Sequence, residues 1–383
     1  MNRLSCCPLQ RCASPPKWLQ SKVRFTVKLS LCVGALWFCG AFAALHSHAQ
    51  TRQVVDMAGR TVRAPKQVHS VYCMNPACAM VIYSLAPEKL LSFPIPLSDK
   101  ERSYLAPPLN RLQGPGPVAG DAHNPNTEQL LKLHPDMIVL MEPGGSAAIE
   151  RLNQLQDQTH IPTFLFDMTL RNTPEVYRTL GTLLGVEKRA EQLARYSRSV
   201  LDDADAKVRS LPADKRPRVY IASGANGLQT VYDGAPHAEA IPLAGGVNVA
   251  RSSQTQHAGH IVMAQSHGQA AMEQVLAWNP SVILVVADRK SNVDLKKFID
   301  NDPLWKTTAA VRNHAVYRIP AYPFAWVSGP ASINRLIGVR WLGNLLRPDV
   351  FRYDMRKETR QFYALFYHKK LSEEELNELL DGK

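Results

Sequence analysis

His257, His260 and His267 stand in one short stretch with Met263 among them, a set of imidazole and thioether donors. Such donors suit nickel, copper, zinc or haem iron better than a hard ferric ion already wrapped in oxygen ligands. A solvated loop with incidental histidines accounts for the same stretch equally simply. His123, in the other half of the chain, supplies a donor from the opposite side if a ligand is to be bridged. Cys73 and Cys78 bracket Met74-Asn75-Pro76-Ala77, and offer either a small disulfide ring or two thiolates for a soft metal; outside the cytoplasm the disulfide is the expected state. Tyr322-Pro323-Phe324-Ala325-Trp326 concentrates aromatic surface that suits packing on a ligand or filling a core. No G-x-S-x-G, H-E-x-x-H, P-loop or C-x-x-C occurs, which moves the expectation from catalysis toward binding.

The compartment is read from the first 49 residues. Arg3, Arg11, Lys17, Lys22, Arg24 and Lys28 precede an apolar run over residues 29–45 and then Ser47-His48-Ala49, with no acid among them. That order is the one of a secretory signal peptide, expected here over residues 1–49 with cleavage after Ala49. Gly34 and Gly40 interrupt the apolar run, which is short of the roughly 18 to 20 residues of a spanning helix. The whole chain of 383 residues carries a net charge of +12, and removing six leader cations leaves +6. The remaining charges are mixed in sign with no basic, aromatic-interleaved run, so nucleic acid is not an expected partner. Of the seven cysteines, Cys73 and Cys78 alone lie beyond the leader. More than 330 residues then remain, more than one hydrophobic core usually serves.

Those residues must be positioned by alternating elements. Residues 51–65 read as a hairpin turning at Ala58-Gly59; residues 68–72, 90–93, 137–141 and 163–166 read as short strands, with helices over 77–85, 127–133 and 146–158. Residues 94–120 are rich in Pro and Gly and read as a long loop with little regular structure. Residues 174–211 carry apolar groups at helical spacing and predict one or two helices, broken near Gly185, that join two lobes. The second half repeats this alternation, with strands over 219–222, 282–286 and 316–319, and helices over 238–243, 271–278 and 331–345. An amphipathic helical tail follows over 353–380. The fold class expected is α/β, with two similar lobes built on mostly parallel sheets. Its segments are a leader (1–49), a first lobe (50–170), a linking helix (171–212), a second lobe (213–346) and a tail (347–383).

An internal echo supports the two lobes. Thr127-Glu128-Gln129-Leu130-Leu131 leading to His134-Pro135 and a strand is matched, 145 residues later, by Met272-Glu273-Gln274-Val275-Leu276 leading to Asn279-Pro280 and a strand. A period this long excludes a solenoid. With this echo, the hairpin Asp56-Met57-Ala58-Gly59-Arg60-Thr61-Val62, and Leu243-Ala244-Gly245-Gly246-Val247-Asn248-Val249-Ala250, residues 51–345 resemble the periplasmic binding proteins of iron-siderophore, haem and vitamin B12 ABC importers.

The resemblance implies two α/β lobes joined by one long helix, a ligand in the cleft between them, no catalysis and no intrinsic cofactor. The cargo implied is a small-molecule metal chelate of iron, or of nickel or cobalt, delivered by a monomer to a permease dimer in the inner membrane. Loops at the C-terminal strand ends would line the cleft, which nominates Tyr72, Met74, Phe93 and His123 from the first lobe and Tyr232, His257, His260, Tyr322, Phe324 and Trp326 from the second. His257, His260 and His267 are the candidate metal ligands, and Glu128 and Glu273 match the family's one permease-docking acid per lobe. Two alternatives stay open: a periplasmic binding protein or chaperone for nickel or another transition metal, built on the histidine stretch, and a metal-dependent periplasmic enzyme.

Overall fold

The computed structural model describes residues 51–106, 126–251, 267–287 and 293–381. The expected leader and its cleavage point lie outside them, as do His123, His257 and His260.

The described chain opens on an antiparallel hairpin, β1 (Thr51–Val55) and β2 (Thr61–Pro65), turning through Gly59 at φ 78°. Asp56, 5 % exposed, organises it. Its carboxylate accepts the backbone N–H groups of Ala58 and Arg60 and, from the first sheet, that of Leu165 at 3.0 Å. The Arg60 guanidinium closes an ion pair with it at 2.8 Å. The Asp-x-x-Gly-Arg pattern is thus a clasp fixing the hairpin to the sheet behind it.

That sheet is β3 (Val71–Cys73), β4 (Met137–Met141) and β5 (Thr163–Phe166), all parallel with β4 central. The strand expected over residues 90–93 is only a single bridge from Leu90 to Val71, since Phe93 is committed elsewhere and Pro94 stops the ladder. After β3, Asn75 caps α1 (Pro76–Leu85) by accepting the Cys78 N–H. The Sγ atoms of Cys73 and Cys78 are bonded, tying the strand end to the helix start. The loop that follows is less featureless than its composition suggests, because Ser98 and Glu101 form a reciprocal capping box that starts α2 (Asp99–Ser103). Helices α3 (Thr127–Leu133) and α4 (Ser146–Thr159) complete the first lobe.

Between the lobes, α5 (Thr173–Leu184) ends at left-handed Gly185 (φ 69°), and α6 (Glu187–Arg209) runs 23 residues, about 34 Å. The second lobe has β6 (Arg218–Ala222), β8 (Val247–Asn248), β10 (Val282–Val285) and β11 (Val316–Arg318), parallel in the order β11-β10-β6-β8. Helices α7 (Ala240–Leu243), α8 (Met272–Trp278), α9 (Leu295–Asn301), α10 (Ala309–Arg312) and α11 (Asn334–Leu346) surround it. A ribbon that the sequence does not announce, β7 (Gln229–Val231) against β9 (His267–Gln269), stands beside the sheet.

The internal echo is structural. α3 leads into β4 as α8 leads into β10, and both helices end on a left-handed residue before proline, His134 (φ 46°) and Asn279 (φ 38°). Such a residue stops a helix and turns the chain toward the strand.

The tail is two helices, α12 (Met355–Phe366) and α13 (Glu373–Asp381), divided near left-handed His368. It returns to the first lobe: Tyr83 Oη donates to Tyr367 O at 2.9 Å, and Tyr104 Oη to Glu378 Oε2 at 2.7 Å. Phe362, Tyr363, Phe366, Leu376 and Leu379 join a core that runs through α1, α5, α6, α11 and both lobes. Among the described residues no helix is long and apolar enough to cross a membrane.

Helix α11 lies very close to the segment after β11. A Cβ on Gly338 would sit 1.9 Å from the carbonyl oxygen of Trp326. Gly338→Ala is therefore expected to lower stability by at least the ~1 to 3 kcal/mol of an overpacked core, because the obstacle is backbone; a denaturant titration showing no loss would contradict this contact.

Candidate functional site

The C-terminal ends of the second sheet's strands face a cavity of about 450 Å3, closed on the first-lobe side by Ile95. Its described lining comes from Ile95 of the first lobe and, from the second, Ser223, Gly224 and Gln229 after β6, Val286 and Ala287 after β10, and Ala321, Ala325, Gly329 and Pro330 after β11. Small side chains let a solute approach backbone amides, and the Ser223 hydroxyl and Gln229 amide are the side-chain polar groups among them. None of these residues carries a charge. A hollow of about 490 Å3 at the opposite end of the first lobe, around Asp136 and His160, lies at the N-terminal strand ends, the wrong edge of such a sheet for a ligand.

The lobes are held together around this cavity. Arg335, on α11 and 1 % exposed, donates Nη2 to Met168 O of the first lobe at 2.6 Å, Nε to Ser332 O at 3.1 Å, and Nη1 to Pro236 O and to the Glu239 carboxylate. The same Glu239 oxygen accepts Leu170 N–H of the first lobe at 2.9 Å. Burial lowers the Arg335 pKa, and Glu239 works against that. Ser332 Oγ donates to Ala77 O of α1 at 2.9 Å. Two aromatic pairs cross as well: Phe93 stacks on Phe324 (5.6 Å, 15°) and Tyr104 on Tyr322 (5.5 Å, 8°).

These contacts correct several sequence assignments. Phe93 and Phe324, each 1 % exposed, and Tyr322 present their faces to aromatic partners across the lobes instead of to a ligand. Trp326 is fully buried with Nε1 donating to Tyr363 Oη at 3.2 Å, so it fills the core. Tyr72 and Met74 sit in the first lobe's own core beside Leu130 and Ile138, and burial raises the Tyr72 pKa. Core and cleft select the same residue types, which is why the sequence did not separate them. Tyr232 is half-buried, its ring passing over Gly268 of the ribbon: a Cβ there would lie 2.2 Å from Tyr232 Oη.

His267 begins β9 and is exposed at one edge. Against it lies His237, which sequence reasoning missed because a single histidine in an apolar stretch has no spacing signal. The ring centres are 4.5 Å apart at 67°. His237 is 9 % exposed, and its Nδ1 is buried with no hydrogen-bond partner among the described residues. Burial, then the neighbouring His267 and Arg335, push its pKa down to about 3, so it stays neutral; burial lowers that of His267 too. Among the described residues no group of three or more His, Cys, Asp and Glu is gathered as a metal site.

Glu128 and Glu273 are the second residues of α3 and α8, both exposed on the surface. Glu128 pairs with Lys132 at 2.8 Å, a contact of little energetic weight at such exposure.

The "Periplasmic binding protein" family model matches residues 94–323. The molybdate-binding protein MolA of Haemophilus influenzae is 26 % identical over 368 residues, covering 88 % of this chain and 96 % of its own. The high-affinity heme uptake system protein IsdE of Staphylococcus aureus is 25 % identical over 236 residues, covering 60 % of this chain and 74 % of its own. Among solved structures, an ABC transporter solute binding protein from Sulfurospirillum deleyianum superposes with a TM-score of 0.75 at 27 % identity, covering 86 % of this chain and 99 % of that one. The two lobes on parallel sheets, the single long helix between them and the family match together place this chain in the periplasmic binding protein family, as an ABC-transporter substrate-binding protein that hands a solute to a membrane permease and is not an enzyme.

Proposed function

We propose that the solute is a small metal-containing species, the size of a tetrahedral oxyanion or a low-molecular-weight metal complex, taken up between the lobes outside the cytoplasm. The observation that carries this reading is how the cleft is furnished. Its described lining is Ile95, Val286, glycine, alanine, proline, Ser223 and Gln229 around about 450 Å3, near the lower end of the range for small-molecule sites. The rings that a haem or corrin face would stack on are already stacked on one another. Resemblance to a protein named for molybdate, over nearly the whole of both chains, points the same way. The iron-siderophore, haem and cobalamin cargoes implied by the sequence are the larger alternatives, and IsdE is the relative that favours haem.

The working form in this reading is a monomer cleaved near Ala49, with Glu128 and Glu273 meeting the two permease subunits. Calorimetric titration of the purified protein with sodium molybdate, nickel–histidine, haemin, a ferric siderophore and cobalamin tests the cargo. One of the first two is expected to bind tighter than about 10 μM, or roughly −7 kcal/mol. Tight binding of haemin, siderophore or cobalamin with neither small species bound would overturn the reading.

A further inference from the structure

We propose that His237 and His267 form a two-imidazole site for a late divalent transition cation, nickel or copper in type, at the ribbon end of the cleft. This rests on the reading of the cleft as the site of a small metal-containing solute and names how its metal is held.

The ribbon's register sets the direction. Gln229 pairs with Gln269 and Val231 with His267, so these four residues share one face. Gln229 on that face lines the cavity and Val231 is part of the core shared by the lobes. His267 therefore sits two residues, about 7 Å, along the same face from a cavity-lining side chain. His237 approaches it from the turn before α7, next to Pro236, whose carbonyl Arg335 holds.

Separation then selects the metal. Two imidazoles sharing a cation at about 2.1 Å per nitrogen place their ring centres about 4.6 Å apart for a 90° angle at the metal, and about 5.3 Å for a tetrahedral one. The observed 4.5 Å matches the right angle, the cis arrangement of square-planar or octahedral nickel and copper. A buried nitrogen with no partner is rare unless a water or an ion completes it, and His237 Nδ1 is such an atom among the described residues. The remaining coordination positions would belong to small ligands brought with the cation or to water.

The test uses the full chain without a polyhistidine tag, stripped by a chelator and titrated with nickel chloride and with copper sulfate alone. One equivalent is expected, and copper electron paramagnetic resonance should show coupling to two imidazole nitrogens. His237→Gln and His267→Ala should each weaken binding by at least the ~10- to 100-fold that loss of a mere supporting group costs a metal site. Because His237 is buried, melting curves accompany both variants, and the exposed-edge His267→Ala decides if the other fails to fold. Unchanged affinity in His267→Ala, or a spectrum without the paired nitrogens, overturns the site. Molybdate binding that persists in both variants alongside such a result would leave the small-solute reading standing without the imidazole pair. Nickel bound through both histidines, with no molybdate or nickel–histidine binding, would keep the pair and remove that reading.

Discussion

Replacing Arg335 by methionine should lower the stability of the protein by about 3 to 5 kcal/mol, the cost of removing one partner from a buried, hydrogen-bonded pair. The guanidinium is 1 % exposed and serves four acceptors, the carbonyls of Met168, Pro236 and Ser332 and the carboxylate of Glu239. Methionine fills much of the same volume, so the loss reports unmet acceptors more than a cavity. Glu239 keeps only the Leu170 N–H and remains partly solvated, with a side chain 24 % exposed; its charge is therefore less costly than the three carbonyls. Glu239→Gln should also cost stability: its amide oxygen still accepts from Leu170 and Arg335, but the buried guanidinium loses its carboxylate. Denaturant unfolding gives the numbers, and hydrogen exchange should show the amides of Met168 to Leu170 opening first in Arg335→Met. A loss under about 1 kcal/mol, within the range of an ordinary hydrogen bond, would mean that this contact does not govern the joint between the lobes.

Reversing the charge at Glu128 and Glu273 together should stop uptake in cells while leaving the fold and solute affinity unchanged. Both acids occupy the second position of equivalent helices, 145 residues apart, and both are exposed to solvent. A carboxylate in a helix's first turn is favoured by the helix end, which explains either acid alone. It does not require the same acid in both lobes, whereas docking on two equivalent permease subunits does. Arginine at both positions would set like charges against the cations expected on the permease. The purified double variant gives affinity and melting temperature, and a strain carrying it gives transport. Normal uptake would remove the docking role; a fall in stability of more than about 1 kcal/mol would return both residues to capping.

Much of the architecture was legible in the residues because periodicity is local. The helix–proline–strand echo appears as α3–β4 and α8–β10, and Gly185 marks the break between α5 and α6. Features that depend on distant partners were not legible. The β7–β9 ribbon joins segments 35 residues apart whose strands are three residues each, too short to show alternation. The Phe93–Phe324 stack was hidden for a related reason: the two rings meet only once the chain has folded both lobes, and nothing in their spacing announces a partner. His237 gains meaning from a ring 30 positions away. By contrast, the strand ends that carry Ser223 and Val286 into the cavity lining follow from local pattern, even though the ligand does not.

The return of α12 and α13 to the first lobe also orders events in time. Residues of the first sheet end at Phe166, but the acceptors of the Tyr83 and Tyr104 hydroxyls are the Tyr367 carbonyl and the Glu378 carboxylate, made more than 200 residues later. At a synthesis rate of about 5 to 20 residues per second, that interval is roughly 10 to 40 s. Throughout it the core that α1 shares with the tail stays incomplete. A chain cut short before Met355 would lack the two helices that cover the apolar faces of α1 and α6.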